Sequence, residues 1–219
     1  MKGFDAIIFD LDGVLLISEH LNVEAMCATM RLHGMPLTEQ ERMTIPGRSS
    51  MDAMPGFLRA RGVPDGEHTA LITENRARYD DLWDANVTLA PFATPVLNFF
   101  HDRKIPLAIG TTNRRSVVEK FIGRFGFDGM FSAIVTGKDV VRRKPDPEVY
   151  IIARQKLDVP ADRVLVVGDT ALDVEAAKGA GLACAVIPSE YFLLQDFSRA
   201  DFRVSSLLDI MPIVTPGIL

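Results

Sequence analysis

The hydrophobic positions between residues 91 and 187 alternate between two patterns. Short apolar runs rich in β-branched residues predict strands at Pro106–Gly110, Ala133–Val135, Val164–Val167 and Ala183–Ile187. Between these runs, apolar residues recur at helical spacing and predict helices at Thr94–Arg103, Ser116–Phe125, Pro147–Leu157 and Ala171–Gly179. Strands that alternate with helices predict crossover connections and a parallel sheet covered on both faces.

One further apolar run, Ala6–Phe9, is separated from these strands by a helical stretch. It is apolar throughout, which is typical of a strand buried on both faces of a parallel sheet. Residues 18–88 contain no convincing strand, and their clearest helices are Glu19–Leu32 and His68–Asp84. We therefore predict an α/β protein in which residues 1–16 and 89–219 form a Rossmann-like core and residues 17–88 form an inserted helical domain.

Composition and charge narrow the class of protein. Hydrophobic residues make up 47% of the chain, which is ordinary for a globular core, and the net charge of −5 argues against a general nucleic-acid binder. No apolar stretch approaches the length of a membrane span. The N-terminus does not resemble a signal peptide, and Cys27 and Cys184 lack metal-ligand spacing. We therefore expect a cytoplasmic protein with reduced thiols and no membrane partner.

Acidic residues directly follow two of the predicted strands. Asp10 and Asp12 follow the first strand, and Asp169 follows a later one, with Asp173 one helical turn further on. Because ligands of open α/β sheets bind beyond the carboxyl ends of the strands, we expect these acids to meet there. Carboxylates that lie together repel unless a cation shares them, and Mg²⁺ prefers oxygen ligands. The alternative for the first pair is a helix cap or an Asx turn closed by Gly13.

Hydroxyl and ammonium groups accompany the acids. Thr111, Thr112 and Asn113 follow a strand, and Lys144 opens a Pro-containing turn before a helix. This combination suits phosphoryl transfer, in which cations offset charge, hydroxyl and backbone N–H groups hold phosphate oxygens, and a carboxylate attacks. The alternative for each threonine is a plain helix N-cap.

Four short motifs occur in a fixed order along the chain: Asp10–Leu15, Ile109–Asn113, Lys144–Pro147 and Gly168–Asp173. Together they resemble the motifs of the haloacid dehalogenase superfamily, in the subgroup of β-phosphoglucomutase-like and phosphoglycolate-phosphatase-like hydrolases. The resemblance extends from Phe4 to Ile187, and it is specific because four motifs coincide in order. It implies the fold of that superfamily, with residues 17–88 as the subgroup's helical-bundle cap.

The resemblance also implies catalytic roles. Asp10 would be the nucleophile that forms an aspartyl-phosphate, and Asp12 would protonate the leaving oxygen and later activate water. Thr111 would hydrogen-bond the transferring phosphoryl group, with Thr112 as the alternative because the alignment can slide by one residue. Lys144 would offset negative charge on the nucleophile and the phosphate.

A magnesium site and a substrate site follow from the same resemblance. Asp10, the backbone carbonyl of Asp12 and Asp169 would bind Mg²⁺, and Asp173 would complete the metal set by orienting metal-bound water or Lys144.

Residues 46–50 occupy the place of the subgroup's substrate-specificity loop, so Gly47 and Arg48 are predicted to contact the substrate, as are Thr112 and Asn113 in the core. The alternative for residues 46–50 is an ordinary surface turn.

Three departures from the subgroup bear on the activity. Ile17 replaces an Asp that often precedes the cap, and Phe92 replaces the Gly of a Pro-Gly pair after it. Asn22 stands where sugar-phosphate mutases carry a histidine, which argues against a mutase. Asp12 argues against a dehalogenase, which has no use for a metal-binding acid there. It also argues against a receiver-like regulatory module, whose acyl-phosphate must be long-lived.

We therefore predict a Mg²⁺-dependent phosphatase that hydrolyses phosphoglycolate or a sugar phosphate through an aspartyl-phosphate intermediate. The alternative activity is that of a β-phosphoglucomutase-type mutase, and the distant one is that of a receiver-like phospho-acceptor. The expected partner is a small phosphorylated metabolite, and the expected assembly is a monomer or a weak dimer.

Overall fold

The chain folds into two compact units. The computed structural model describes residues 3–217. One unit comprises Met1–Leu16 together with Leu89–Leu219, and the other comprises Ile17–Thr88. No helix within the described residues is both long enough and apolar enough to cross a membrane.

The strands and helices follow the predicted alternation. In chain order the strands are β1 (Ala6–Phe9), β2 (Leu16–Ile17), β3 (Thr88–Leu89), β4 (Leu107–Gly110), β5 (Ala133–Val135), β6 (Val164–Gly168), β7 (Ala183–Val186) and β8 (Phe202–Arg203). The α-helices are α1 (Glu19–Leu32), α2 (Glu39–Arg42), α3 (Ser50–Arg59), α4 (Asp65–Asn86), α5 (Ala93–Asp102), α6 (Arg115–Phe125), α7 (Glu148–Leu157), α8 (Ala171–Gly179) and α9 (Ile210–Val214). Two 3₁₀ turns cover Ala161–Arg163 and Leu207–Asp209.

The core unit is a six-stranded parallel sheet in the order β5-β4-β1-β6-β7-β8. β1 lies at its centre, where Ile8 pairs with Ala108 on one side and with Val166 on the other. All four residues of β1 are fully buried, as expected for a strand covered on both faces. The prediction of an α/β fold with a parallel sheet is therefore confirmed.

The inserted unit is helical, as predicted. Its core is formed mainly by methionine and aliphatic side chains: Met26, Met30, Ile45, Ala53, Met54, Phe57, Leu58 and Ile72. Helix α4 begins three residues earlier than predicted, because Pro64 precedes its first turn and Asp65 and Glu67 favour a helix N-terminus. The prediction of no convincing strand in residues 18–88 is wrong only at the last residue, since Thr88 begins β3, which pairs with β2 just before this stretch. Strands of two residues are too short to show an alternation.

Phe92 has a strained backbone. It precedes α5 with a φ of 65°, in the left-handed region. A non-glycine residue in this region costs roughly 1–2 kcal/mol, whereas glycine adopts it without steric conflict. The resemblance leads one to expect a glycine at position 92. Phe92 in its place therefore introduces backbone strain.

An ion pair ties α2 to the end of α3 in the helical unit. Arg61 donates from both terminal nitrogens to Glu41, with both distances 2.8 Å, and also donates to the carbonyl of Pro36. The backbone N–H and hydroxyl of Thr38 donate to the same carboxylate. Donation by Arg61, more than any other contact, lowers the pKa of Glu41 from 4.5 to about 2.

We predict that Glu41→Gln destabilises the helical unit in a pH-dependent way. Because folding lowers the pKa of Glu41, its stabilising effect is present above pH 4.5 and is lost as the pH falls towards 2. The variant should lose about 1–3 kcal/mol at pH 7. Its deficit should shrink below pH 5. The fluorescence of Trp83, the only tryptophan of the chain and a buried residue of α4, reports the unfolding.

The control is Glu39→Gln on the same helix. Glu39 pairs with Arg42 at an exposed position, so its loss should cost less than about 0.5 kcal/mol. Equal losses in the two variants, or a Glu41→Gln deficit that does not change with pH, would contradict the prediction.

Candidate active site

Acids from separate segments meet at the carboxyl edge of the core sheet, as predicted. Asp10 follows β1, and its backbone N–H donates to the carbonyl of Val167 in β6 at 2.9 Å. Carboxylate oxygens of Asp10, Asp169 and Asp173 lie within 4.8 Å of one another. Residues more than 150 positions apart are brought together because β1 and β6 are neighbouring parallel strands.

The ammonium group of Lys144 lies among these acids. Its Nζ is 2.9 Å from Oδ1 of Asp10 and 2.7 Å from Oδ1 of Asp173, and only 7% of the side chain is exposed. Burial alone would lower the pKa of Lys144, but the two carboxylates outweigh burial and raise it above its usual range. The site therefore contains a permanent positive charge.

Asp173 is held by donors from three sides. Its Oδ1 accepts from Lys144 and from the hydroxyl of Tyr150, both at 2.7 Å. Its Oδ2 accepts from the hydroxyl of Thr170 at 2.6 Å and from the backbone N–H groups of Thr170 and Asp169 at 3.1 and 3.3 Å. Burial alone would raise the pKa of Asp173, but Lys144 and the other donors lower it. Both oxygens of this carboxylate are thus engaged by protein groups.

Tyr150 is a residue of the site that sequence reasoning missed. It is fully buried on α7, donates to Asp173, and its ring centroid lies 4.7 Å from Nζ of Lys144. In the sequence it occupies an apolar position of a predicted helix, which by itself indicates only packing. The signal that could have indicated its role is the residue type, since a buried tyrosine hydroxyl needs a hydrogen-bond partner. The helix that carries it also follows directly after the Lys144 turn.

The donor set around Asp10 fits a hard divalent cation. Oδ1 of Asp10 is buried, and among the described residues no donor reaches it with normal hydrogen-bond geometry, although Lys144 is close. Burial raises the pKa of Asp10 to about 7, and the charges of Asp173 and Asp12 add to this effect. A buried acceptor beside Asp169 and Asp173 offers only oxygen ligands, which is the donor type that Mg²⁺ takes.

Gly13 allows Asp169 to approach the turn after β1. Its φ is +77°, and a Cβ atom at this position would overlap the carboxylate of Asp169. Glycine is therefore required twice here, for the left-handed backbone and for the space that the carboxylate occupies.

Asp12 is half-buried and contacts the loop after β4. Its Oδ2 accepts a hydrogen bond from Nδ2 of Asn113 at 2.8 Å. In the same loop, the hydroxyl oxygen of buried Thr111 accepts from the backbone N–H of Asn113 at 3.1 Å, while Thr112 is half-buried. The structure therefore places Asp12, Asn113 and the two threonines together, and the choice between Thr111 and Thr112 as phosphoryl ligand stays a prediction.

Gly47 and Arg48 belong to the helical unit, where α1 anchors their loop. The backbone N–H of Gly47 donates to Glu19 at 2.9 Å, and the carbonyl of Arg48 accepts from the amide of Asn22 at 3.0 Å. The guanidinium of Arg48 donates to the carbonyl of Asp52 at 2.7 Å. The loop is thus ordered by its own unit, and its contact with substrate stays a prediction.

A cationic cleft of about 550 Å³ begins at the β4 loop. Its lining residues are Thr112, Asn113, Arg114, Arg115, Ser116, Glu119, Gly137, Lys138 and Arg143. Four of these side chains are cationic and one is acidic, so the cleft favours an anionic occupant. Asp139 holds one of the cations in place, since Arg115 donates to it at 3.0 Å.

The chain is similar to known hydrolases in sequence and in structure. The family described as haloacid dehalogenase-like hydrolase matches residues 7–187. A phosphorylated carbohydrates phosphatase from Thermotoga maritima is 32% identical over 182 residues, which cover 81% of this chain and 82% of the relative. A validoxylamine A 7'-phosphate phosphatase from Streptomyces hygroscopicus subsp. limoneus is 29% identical over 205 residues, with 93% and 94% covered. The crystal structure of CbbY from Rhodobacter sphaeroides in complex with phosphate has a TM-score of 0.82 at 27% identity, covering 94% of this chain and 96% of that one.

We predict that Asp10→Asn stabilises the metal-free protein, and more so as the pH rises. Folding raises the pKa of Asp10 from 3.8 to about 7, so across this range the unfolded chain loses the proton while the buried group keeps it, and the wild type becomes less stable as the pH rises. Asparagine does not titrate. The advantage of the variant should grow by roughly 1–3 kcal/mol between pH 5 and pH 8, since one pKa unit corresponds to about 1.4 kcal/mol.

Urea unfolding in EDTA, followed by circular dichroism, measures this difference. Asp102→Asn, at an exposed position near the end of α5, is the control and should show a flat difference. If the difference between Asp10→Asn and the wild type were equally flat, burial would not govern the ionisation of Asp10.

Proposed function

Since the chain belongs to the haloacid dehalogenase-like hydrolase family, we propose that it is a Mg²⁺-dependent phosphatase that acts on a small phosphorylated metabolite through an aspartyl-phosphate on Asp10. The observation that carries this proposal is the position of Asp10, whose carboxylate is buried beside the ammonium of Lys144 and near two further acids. Both relatives carry the name of a phosphatase. Neither a receiver-like module nor a dehalogenase is favoured by these names.

In the first step, a carboxylate oxygen of Asp10 attacks phosphorus, and the bond from phosphorus to the leaving oxygen breaks. Asp12 gives its proton to that oxygen, so the product leaves as an alcohol. Lys144 offsets the negative charge of the phosphoryl group as it transfers. Its own position is set by Asp173, whose two oxygens are already occupied by protein donors. We therefore assign Asp173 to the orientation of Lys144 rather than to direct metal ligation.

In the second step, Asp12 takes a proton from water, and the water oxygen attacks phosphorus. The acyl-phosphate bond breaks, which releases phosphate and restores Asp10 and protonated Asp12. Asp10, Asp169 and the backbone carbonyl of Asp12 would hold Mg²⁺, which when bound offsets charge on the phosphoryl oxygens. Thr111, with Thr112 as its alternative, would donate to those oxygens.

The cationic cleft beside Asn113 supports a substrate with a second anionic or strongly polar group. A carboxylate, as in phosphoglycolate, or the second phosphate or hydroxyls of a sugar phosphate would meet this requirement. We propose that Gly47 and Arg48 of the helical unit add contacts that select among such substrates. Asn22, at the position where the mutases carry a histidine, donates to the carbonyl of Arg48 and has no titratable group. The structure therefore does not favour a mutase.

We predict that phosphate release requires Mg²⁺ and Asp10. The wild type should hydrolyse p-nitrophenyl phosphate and members of a panel of phosphorylated metabolites, and EDTA should stop the reaction. Asp10→Asn should be inactive although folded, because a carboxamide cannot attack phosphorus. Asp102→Asn serves as the control with wild-type activity. Turnover by Asp10→Asn within about tenfold of the wild type would remove Asp10 as the nucleophile.

We predict that Asp12→Ala traps the intermediate. p-Nitrophenolate leaves without an acid, so Asp10 should still be phosphorylated, but hydrolysis of the adduct lacks its base and should slow about 10²–10⁴-fold. The readout is a burst of nearly one equivalent of nitrophenolate, with phosphate on Asp10 in the mass spectrum of the quenched protein. A steady rate near that of the wild type, with no adduct, would show that Asp12 only shapes the turn.

A further inference from the structure

The side chain of Asn113 is fixed at both ends by protein groups. Its Nδ2 donates to Oδ2 of Asp12 at 2.8 Å, and its Oδ1 accepts from the backbone N–H of Arg114 at 2.7 Å. A carboxylate can only accept and a backbone N–H can only donate, so these two contacts decide which end of the amide is nitrogen. The side chain is therefore held in one orientation before any substrate binds.

The backbone of Asn113 is also held. Its N–H donates to the hydroxyl oxygen of Thr111 at 3.1 Å, and its carbonyl accepts from the N–H of Gly137 at 2.9 Å. Gly137 can approach because it has no side chain, since a Cβ atom there would overlap the carbonyl of Thr112. The amide is thus presented by a loop whose own position is fixed by β4 and the segment after β5.

We infer that Asn113 is a positioning residue that acts through Asp12, an inference that rests on the proposed function. The resemblance assigns Asn113 to the substrate, whereas the structure directs its amide to the acid–base carboxylate. A general acid must lie within hydrogen-bond reach of the atom it protonates, and small misplacements cost up to about 10²-fold in rate. The bond from Asn113 fixes the rotation of the Asp12 carboxylate.

The test is a double-mutant cycle between Asn113 and Asp12, with a phosphorylated alkyl alcohol such as glycerol phosphate, whose poor leaving group needs the acid, and with p-nitrophenyl phosphate. In the wild-type background, Asn113→Ala should lower kcat for the alkyl phosphate about 10–100-fold with KM nearly unchanged. With p-nitrophenyl phosphate it should show a burst, as Asp12→Ala does. In the Asp12→Ala background, Asn113→Ala should cause no further loss.

Two more variants keep the test interpretable. Asn113→Asp preserves the size of the side chain and the acceptor for the N–H of Arg114 but replaces the donor to Asp12 by a second carboxylate, so it should lose at least as much kcat as Asn113→Ala. Asn98→Ala removes an exposed asparagine of α5 and should match the wild type. Circular dichroism establishes that each variant is folded.

The outcomes separate the inference from the proposed function. A raised KM with unchanged kcat would make Asn113 a substrate ligand and overturn the inference. Equal losses of kcat in both backgrounds would make it a structural residue of the loop and also overturn it, while the phosphatase mechanism stands. Unchanged turnover in Asp12→Ala itself would instead refute the proposed role of Asp12, and the inference would fall with it.

Discussion

A single ammonium group makes the acidic edge of this sheet possible. Lys144 lies within 3 Å of carboxylates that arrive from the end of β1 and from the start of α8, and it is almost completely buried. Removal of this one ammonium would leave two buried carboxylates without a compensating charge, and such a loss typically costs about 3–5 kcal/mol. The fold and the chemistry therefore depend on the same contact. The loop that delivers Lys144 is correspondingly well held, with Glu148 accepting from the backbone N–H groups of Val141 and Arg142.

The layout of the sheet could be read from the sequence because it follows from local composition. Apolar runs such as Ala6–Phe9 and Val164–Val167 have few alternatives to a buried parallel strand, and parallel strands bring their carboxyl ends to one edge. Asp10 and Asp169 could therefore be paired without coordinates. The segment after β7 was not predicted, because β8 and α9 are short and lie among irregular residues that carry no periodicity.

The contacts that tune the site could not be read in the same way. The hydrogen bonds from Tyr150 to Asp173 and from Asn113 to Asp12 depend on side-chain torsions and on the relative positions of chain segments that are far apart in sequence. Neither quantity leaves a periodic trace in the sequence. The left-handed backbone of Phe92 was hidden for a different reason, since the residue type itself argues against that conformation.

Gly13 shows how a residue without chemistry becomes as constrained as a catalytic one. Its α-carbon abuts the carboxylate of Asp169, so every other amino acid would meet that group with its first side-chain atom. No single substitution at position 13 is therefore expected to be tolerated as long as Asp169 keeps its position. A substitution of Gly13 is therefore expected only together with a substitution of Asp169, although 156 positions separate the two residues along the chain.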